Sequence, residues 1–268
     1  MRTSSNPAFR NLPQQGGYAT FNPAGPPGGY QQGYGAPQQP GYDSRPTTSE
    51  RPITVDDVVL KTATSFGVTL IAGLVTAYFG LFVLALPALL VGLGVGLYLS
   101  FRPKGSAPLT LTYAAAQGVV LGGISAWFEM QPRFSGIVPQ ALIGTAGVFI
   151  GMLVVYKTGA IRVTPKLTRW VVGAMVGILV LVLANLVAGF FVDGGLGLRN
   201  GGPIAIIFSL VVIGVAAFSL LMDFDMADEM VRNGMDAKWA WYAAFALTMT
   251  VVWLYMEILR LLSYFRQD

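Results

Sequence analysis

Apolar residues in this chain run on for far longer than a soluble helix or strand requires. No charge interrupts residues 62–101, a stretch of 40 residues. A single helix needs about 20 to cross a bilayer, so this stretch predicts two spans joined by a very short turn, bracketed by Gly80 and Pro87. Shorter apolar runs follow, separated by charged or Pro/Gly-rich joints such as "RPKGSAP" and "DGGLGLRNGGP". The predicted spans are 62–80, 83–101, 109–128, 137–156, 170–192, 203–224 and 241–262. Ahead of the first, Thr54 followed by Asp56 and Asp57 suits a helix start, with a capping oxygen and then acids near the positive end of the dipole. The pattern predicts an all-α membrane protein, a seven-transmembrane-helix bundle over residues 53–268.

Residues 1–52 follow no such pattern. "LPQQGGYATFNPAGPPGGYQQGYGAPQQPGY" is Pro, Gly, Gln and Tyr with almost no aliphatic side chain. Such a composition buries too little surface to offset its ordering entropy, so a disordered tail is expected. It has no apolar h-region of a signal peptide. Its recurring "GGY", "QGY" and "PGY" are read as part of a solvated tether.

Composition narrows the chemistry. The chain is 54% hydrophobic and 11% charged, too few charges to cover a soluble surface. It has no histidine and no cysteine, which excludes disulfides, thiolate metal centres, Ser-His-Asp and Cys-His catalysis and HExxH sites. The net charge of +4 is spread over loops, with no basic block suited to nucleic acid. No cofactor and no enzymatic activity are expected.

The loop cations suggest an orientation. Arg45, Arg51, Lys61, Arg102, Lys104, Lys157, Arg162, Lys166, Arg169, Arg232 and Lys238 fall on one side of seven spans. Arg133, Arg199, Arg260 and Arg266 fall on the other. This predicts a multi-pass protein of the plasma (inner) membrane, N-terminus cytoplasmic and C-terminus outside. Trp170, Trp239 and Trp241 lie near span ends, where an interfacial belt places aromatics.

Few polar side chains interrupt the spans. The third, "LTLTYAAAQGVVLGGISAWF", carries Gly118 and Gly122 in a small-xxx-small pair and reads as a central packing helix. Gln117 and Asn185 are read as interhelical hydrogen-bonding groups, and Glu129 as an interfacial residue closing its span. Glu257, in "VVWLYMEILRLL", is an intramembrane acid and therefore a functional candidate once a partner is named. One partner is Arg260, a helical turn along, in a local ion pair. The other is an acid of the preceding helix: two carboxylates in one dry site cannot both ionise easily, and together they sense protons or hold a hard cation such as calcium. The sixth span ends in "LLMDFDMADEMV". Asp223 and Asp225 are two apart and do not share a helix face. Asp225, Asp228 and Glu229 are read as a wetted helix end, and Asp223, beside "SLLM", as the acid that turns inward.

Seven spans, "IVPQALIGTAGVFIGMLVVYKTG" in the fourth, "DFD" closing the sixth and "LYMEILRLLSYFR" in the seventh resemble the Bax inhibitor one/YccA-like family, also called the transmembrane Bax inhibitor motif family. The resemblance covers about residues 54–266, and the tail with "WYAAFALTMTVVWLYMEILRLL" is similar to an actinobacterial branch. It implies six helices around a central one and a pH-sensitive calcium leak. It also implies a di-carboxylate sensor, whose motif positions fall on Asp223 and Glu257, a glutamate where the family pattern has aspartate. Members with a channel use an arginine of the second helix as an ionic latch; the basic group there is Arg102, at the span's end.

The two acids are 34 residues apart. At about 1.5 Å per residue, Glu257 lies about 24 Å beyond Trp241, near the far face, while Asp223 lies near the cytoplasmic end. They meet only if the sixth helix continues well past Asp225, or if "AKWAWYAAF" lies partly outside the bilayer. The leading expectation is a proton-gated calcium (cation) leak; the alternative is a non-conducting regulator that binds membrane proteases or other membrane proteins. An intramembrane aspartyl protease lacks support, since the chain has no Gly-x-Gly-Asp.

Overall fold

The structure, a computed structural model, describes residues 51–192 and 194–266. The expected tail, all but its last two residues, lies outside the described part. Seven helices follow: α1 (Val55–Phe79), α2 (Ala85–Phe101), α3 (Ala107–Glu129), α4 (Ile137–Thr158), α5 (Pro165–Ala188), α6 (Pro203–Arg232) and α7 (Ala240–Tyr264). Each is long and apolar enough to cross a membrane. Among the described residues there is no strand, only an isolated bridge between Pro52 and Asp236. Leu70, Ile71, Leu74, Leu90, Leu179 and Val180 are exposed, an outward apolar surface that suits lipid.

Local chemistry places the helix ends. Thr54 caps α1 by accepting from the Asp57 amide, and Asp57 in turn accepts from the Thr54 amide at 3.0 Å. Arg51 donates to both Asp57 oxygens at 2.7 Å. That hydrogen bond, and then the carboxylate charge, raise the Arg51 pKa from its ordinary value. The turn after α1 closes on Gly80 in the left-handed region (φ 64), whose amide donates to the Thr76 carbonyl. Pro165 and Pro203 occupy the first helical positions of α5 and α6, where a missing amide proton costs nothing.

Two boundaries differ from the sequence reading for physical reasons. Helix α6 runs past 224 to Arg232 because Phe224, Ala227 and Met230 continue a buried stripe at helical spacing. Helix α1 extends ahead of the span predicted from 62 and begins at Val55, at the start that Thr54 and the acids after it predict.

Helix α3 is enclosed, as its small residues predict, and so is α7. Helix α7 packs against α1, α3, α4 and α6, and Ala240, Ala243, Ala244, Leu247, Leu254, Tyr255 and Leu259 are among its buried residues. Helix α3 lies beside it and makes the closest approach in the bundle, to α1. A Cβ at Gly118 would stand 2.3 Å from the Thr69 carbonyl oxygen, and one at Gly122 would stand 2.3 Å from that of Gly73. Thr69 uses the same proximity to donate to the Ala114 carbonyl at 3.1 Å. Helix α5 is the most peripheral: it packs on α6, and Val171 is its one buried residue among those described.

The ends of the bundle are tied differently. At one end the Ile53 amide donates to the Met235 carbonyl (2.8 Å), the Ala237 amide to Arg51 (3.0 Å) and Lys61 Nζ to the Ala237 carbonyl (2.6 Å). At the other, Glu129 accepts from the amides of Gly136 and Val138 and thereby caps the start of α4, a role more specific than an interfacial acid. Arg266 donates to the Ser135 carbonyl at that end. Asn185 is not an interhelical group: its Oδ1 accepts from the Leu196 amide (3.0 Å) and fastens the α5–α6 loop.

Candidate functional site

Helix α7 carries a series of polar side chains along its length, turned to α1, α3 and α6. Thr248 shares a buried hydrogen bond with Ser65 of α1 at 2.8 Å. Thr250 donates to Asp223 Oδ2 of α6 at 2.6 Å. Tyr255 meets Ser125 of α3 at 2.7 Å. Glu257 accepts from Ser209 of α6 at 2.9 Å and from Arg260 at 2.6 Å. Otherwise apolar, the helix holds these groups because each finds a partner away from lipid.

Asp223 is half-buried and turned toward α7, although it lies on a helix that is apolar from Pro203 onward. Its partner is a neutral hydroxyl, and the structure gives it no ion pair among the described residues. Glu257 has the opposite environment. Its side chain is 3% exposed and that of Arg260 is 23% exposed, and the two form an ion pair one turn apart.

The structure does not bring Asp223 and Glu257 together. Their nearest shared element is α7, where Thr250 and Glu257 are separated by about 10 Å of helical rise. Each carboxylate has its own partners and they share none. Helix α6 does continue well past Asp225 and the segment Ala237–Trp239 is a separate 3-10 turn. That extension carries Asp223 to the level of Thr250, two turns short of Glu257. Thr250 is the partner that sequence reasoning missed; "ALTMTVV" puts two hydroxyls inside the seventh span, a signal that could have found it.

The secondary candidates sit elsewhere. Asp225 is not simply wetted: the Tyr156 hydroxyl of α4 donates toward Asp225 Oδ1 (3.5 Å) and Asp228 Oδ2 (3.2 Å). Asp228 also pairs with Arg232 at 3.5 Å, and Glu229 is exposed. Arg102 is exposed at the end of α2, with neither acid as an ion-pair partner. Arg199, in the α5–α6 loop, stands close enough to Arg260 and Glu257 for their charges to act on it. Burial and then Arg260 lower its pKa from the ordinary value. No group of three or more Asp or Glu converges on a metal position among the described residues, so as possible calcium ligands Asp223 and Glu257 are separate single carboxylates.

The family model described as Bax inhibitor 1 like matches residues 6–267. The chain belongs to this family. The comparison with curated proteins finds no match. As a Bax inhibitor 1 like protein it is a membrane protein of seven apolar helices.

Proposed function

We propose that this protein is a proton-sensitive leak for calcium, or another hard cation, with Asp223 as the group that takes up and releases the proton. The observation that carries the reading is Asp223 itself, a carboxylate between two membrane helices whose one hydrogen-bond partner among the described residues is Thr250. An acid at such depth is a functional-site candidate by default. When ionised it accepts from Thr250; when protonated it also gains a donor that needs an acceptor of its own, which favours a different α6–α7 contact. A difference in proton affinity between the two arrangements couples pH to helix packing. Asp223 of α6 and the hydroxyls and single carboxylate of α7 supply the oxygen ligands a hard cation prefers. Glu257, already neutralised by Arg260, acts as a second, charge-paired station rather than as the other half of an acid pair.

The same reading assigns the cation-rich end, with Arg51, Lys61, Arg102, Lys104 and Lys238, to the cytoplasmic side of the plasma (inner) membrane. Seven spans then put the end of α7 outside. The test is calcium flux in proteoliposomes of the purified protein, followed over a series of pH values. Flux above empty liposomes that varies with pH supports the reading. No flux at any pH, together with recovery of a stable membrane-protein partner by crosslinking, favours a non-conducting regulator.

A further inference from the structure

Helices α5, α6 and α7 leave a groove between them, a cavity of about 400 Å³. Leu179 and Val182 of α5, Phe208 and Val212 of α6 and Trp253 of α7 make its apolar walls. Arg199 and Glu257 also line it. The groove exists because α5 is barely buried and packs on α6 alone among its larger contacts. In a bilayer such a side-opening channel faces acyl chains.

The charges at this site do not balance. Glu257 is one carboxylate, and it is occupied by Arg260 at 2.6 Å and by Ser209. Arg199 is a second guanidinium beside that pair, and it makes no hydrogen bond or ion pair with any described residue. Guanidinium remains charged at any physiological pH and presents a planar fork of donors that matches phosphate. Among the described residues the cluster therefore carries an unmet positive charge beside an apolar, lipid-facing channel. Basic pockets between membrane helices of this construction suit anionic lipid headgroups.

We propose that this groove binds an anionic phospholipid, with its phosphate on Arg199 and an acyl chain laid along Leu179, Val182 and Val212. The bound lipid completes the charge balance around Glu257 and Arg260 and fills the gap that α5 leaves against α6 and α7. The site is distinct from Asp223, so the inference does not depend on the leak reading.

The experiment uses the full chain, delipidated in neutral detergent and titrated with phosphatidylglycerol or phosphatidylcholine, with bound lipid counted by native mass spectrometry. The wild type is expected to hold phosphatidylglycerol about tenfold more tightly than phosphatidylcholine, the value of one charge-assisted contact. Arg199→Gln, a change in a loop, is expected to erase that preference while leaving the lipid-free melting temperature unmoved. Leu179→Trp, at an exposed position of α5, is expected to weaken binding of both lipids by filling the channel. Equal binding of the two lipids by the wild type would overturn the proposal. So would a full phosphatidylglycerol preference in Arg199→Gln, or protection by inorganic phosphate alone equal to that given by the lipid.

Discussion

Gly122→Ala is expected to lower the thermal stability of the detergent-solubilised protein sharply, although alanine is ordinarily the better helix residue. In an unconstrained helix the change stabilises by about 0.5–1 kcal/mol. Here the new Cβ would stand 2.3 Å from the Gly73 carbonyl oxygen and 2.8 Å from its Cα. Those atoms are backbone and cannot rotate aside, so α1 and α3 must separate. Separation costs about 3 kcal/mol or more, the upper range of overpacking. It also strains the hydrogen bond from Thr69 to the Ala114 carbonyl. Gly67→Ala, on α1 with nothing within 4 Å of the new atom, supplies the control and should be neutral or slightly stabilising. Melting curves of the two variants decide the matter by their opposite signs. Equal, small effects would mean that the α1–α3 crossing is not so close.

The second large effect is expected at the buried ion pair. Arg260→Met leaves Glu257, 3% exposed, with Ser209 as its hydrogen-bond partner and, among the described residues, only the unbonded Arg199 charge nearby to answer it. Removing one partner of a buried pair costs about 3–5 kcal/mol. Glu257→Gln should cost less, because the amide still accepts from Ser209 and the Arg260 side chain, 23% exposed, can reach outward to headgroups or water. The double variant, which leaves neither member of the pair as an unpaired buried charge, should recover most of what Arg260→Met loses. Thermal melting of the three variants and the parent forms a double-mutant cycle. Additive losses would show that the two side chains do not depend on each other.

Much of the architecture was legible in residue order because it follows from local physics. The 40 uncharged residues from 62 to 101 had to cross a bilayer twice. Gly80 supplied the left-handed residue that the intervening turn uses, and Gly118 and Gly122 announced a close helix crossing. What escaped was pairwise and long-range. The small residues of α3 marked it as an enclosed packing helix, whereas the enclosure of α7 gave no such local signal, because its partners lie on four other helices. "DFDMADEMV" read as a wetted end by its acids; its buried stripe of Phe224, Ala227 and Met230 keeps it helical and packed. Asn185 looked like an interhelical polar group and instead holds a loop amide, and Glu129, read as an interfacial residue closing its span, also holds helix-start amides.

The candidate acids show the same division. That Asp223 and Glu257 were the intramembrane carboxylates to watch followed from their apolar flanks. Their partners did not, because Thr250 is 27 residues from Asp223 and Ser209 is 48 from Glu257. Only the local partner, Arg260, was within reach of helical periodicity.

The central claim is that Asp223 alone carries the proton response of a cation leak, with Glu257 held apart by Arg260. The measurement that tests it most directly is calcium flux against pH in proteoliposomes of the wild type, Asp223→Asn and Glu257→Gln. The account predicts a flux that varies with pH in the wild type and in Glu257→Gln, and a flux indifferent to pH in Asp223→Asn. A pH dependence that survives in Asp223→Asn would contradict it.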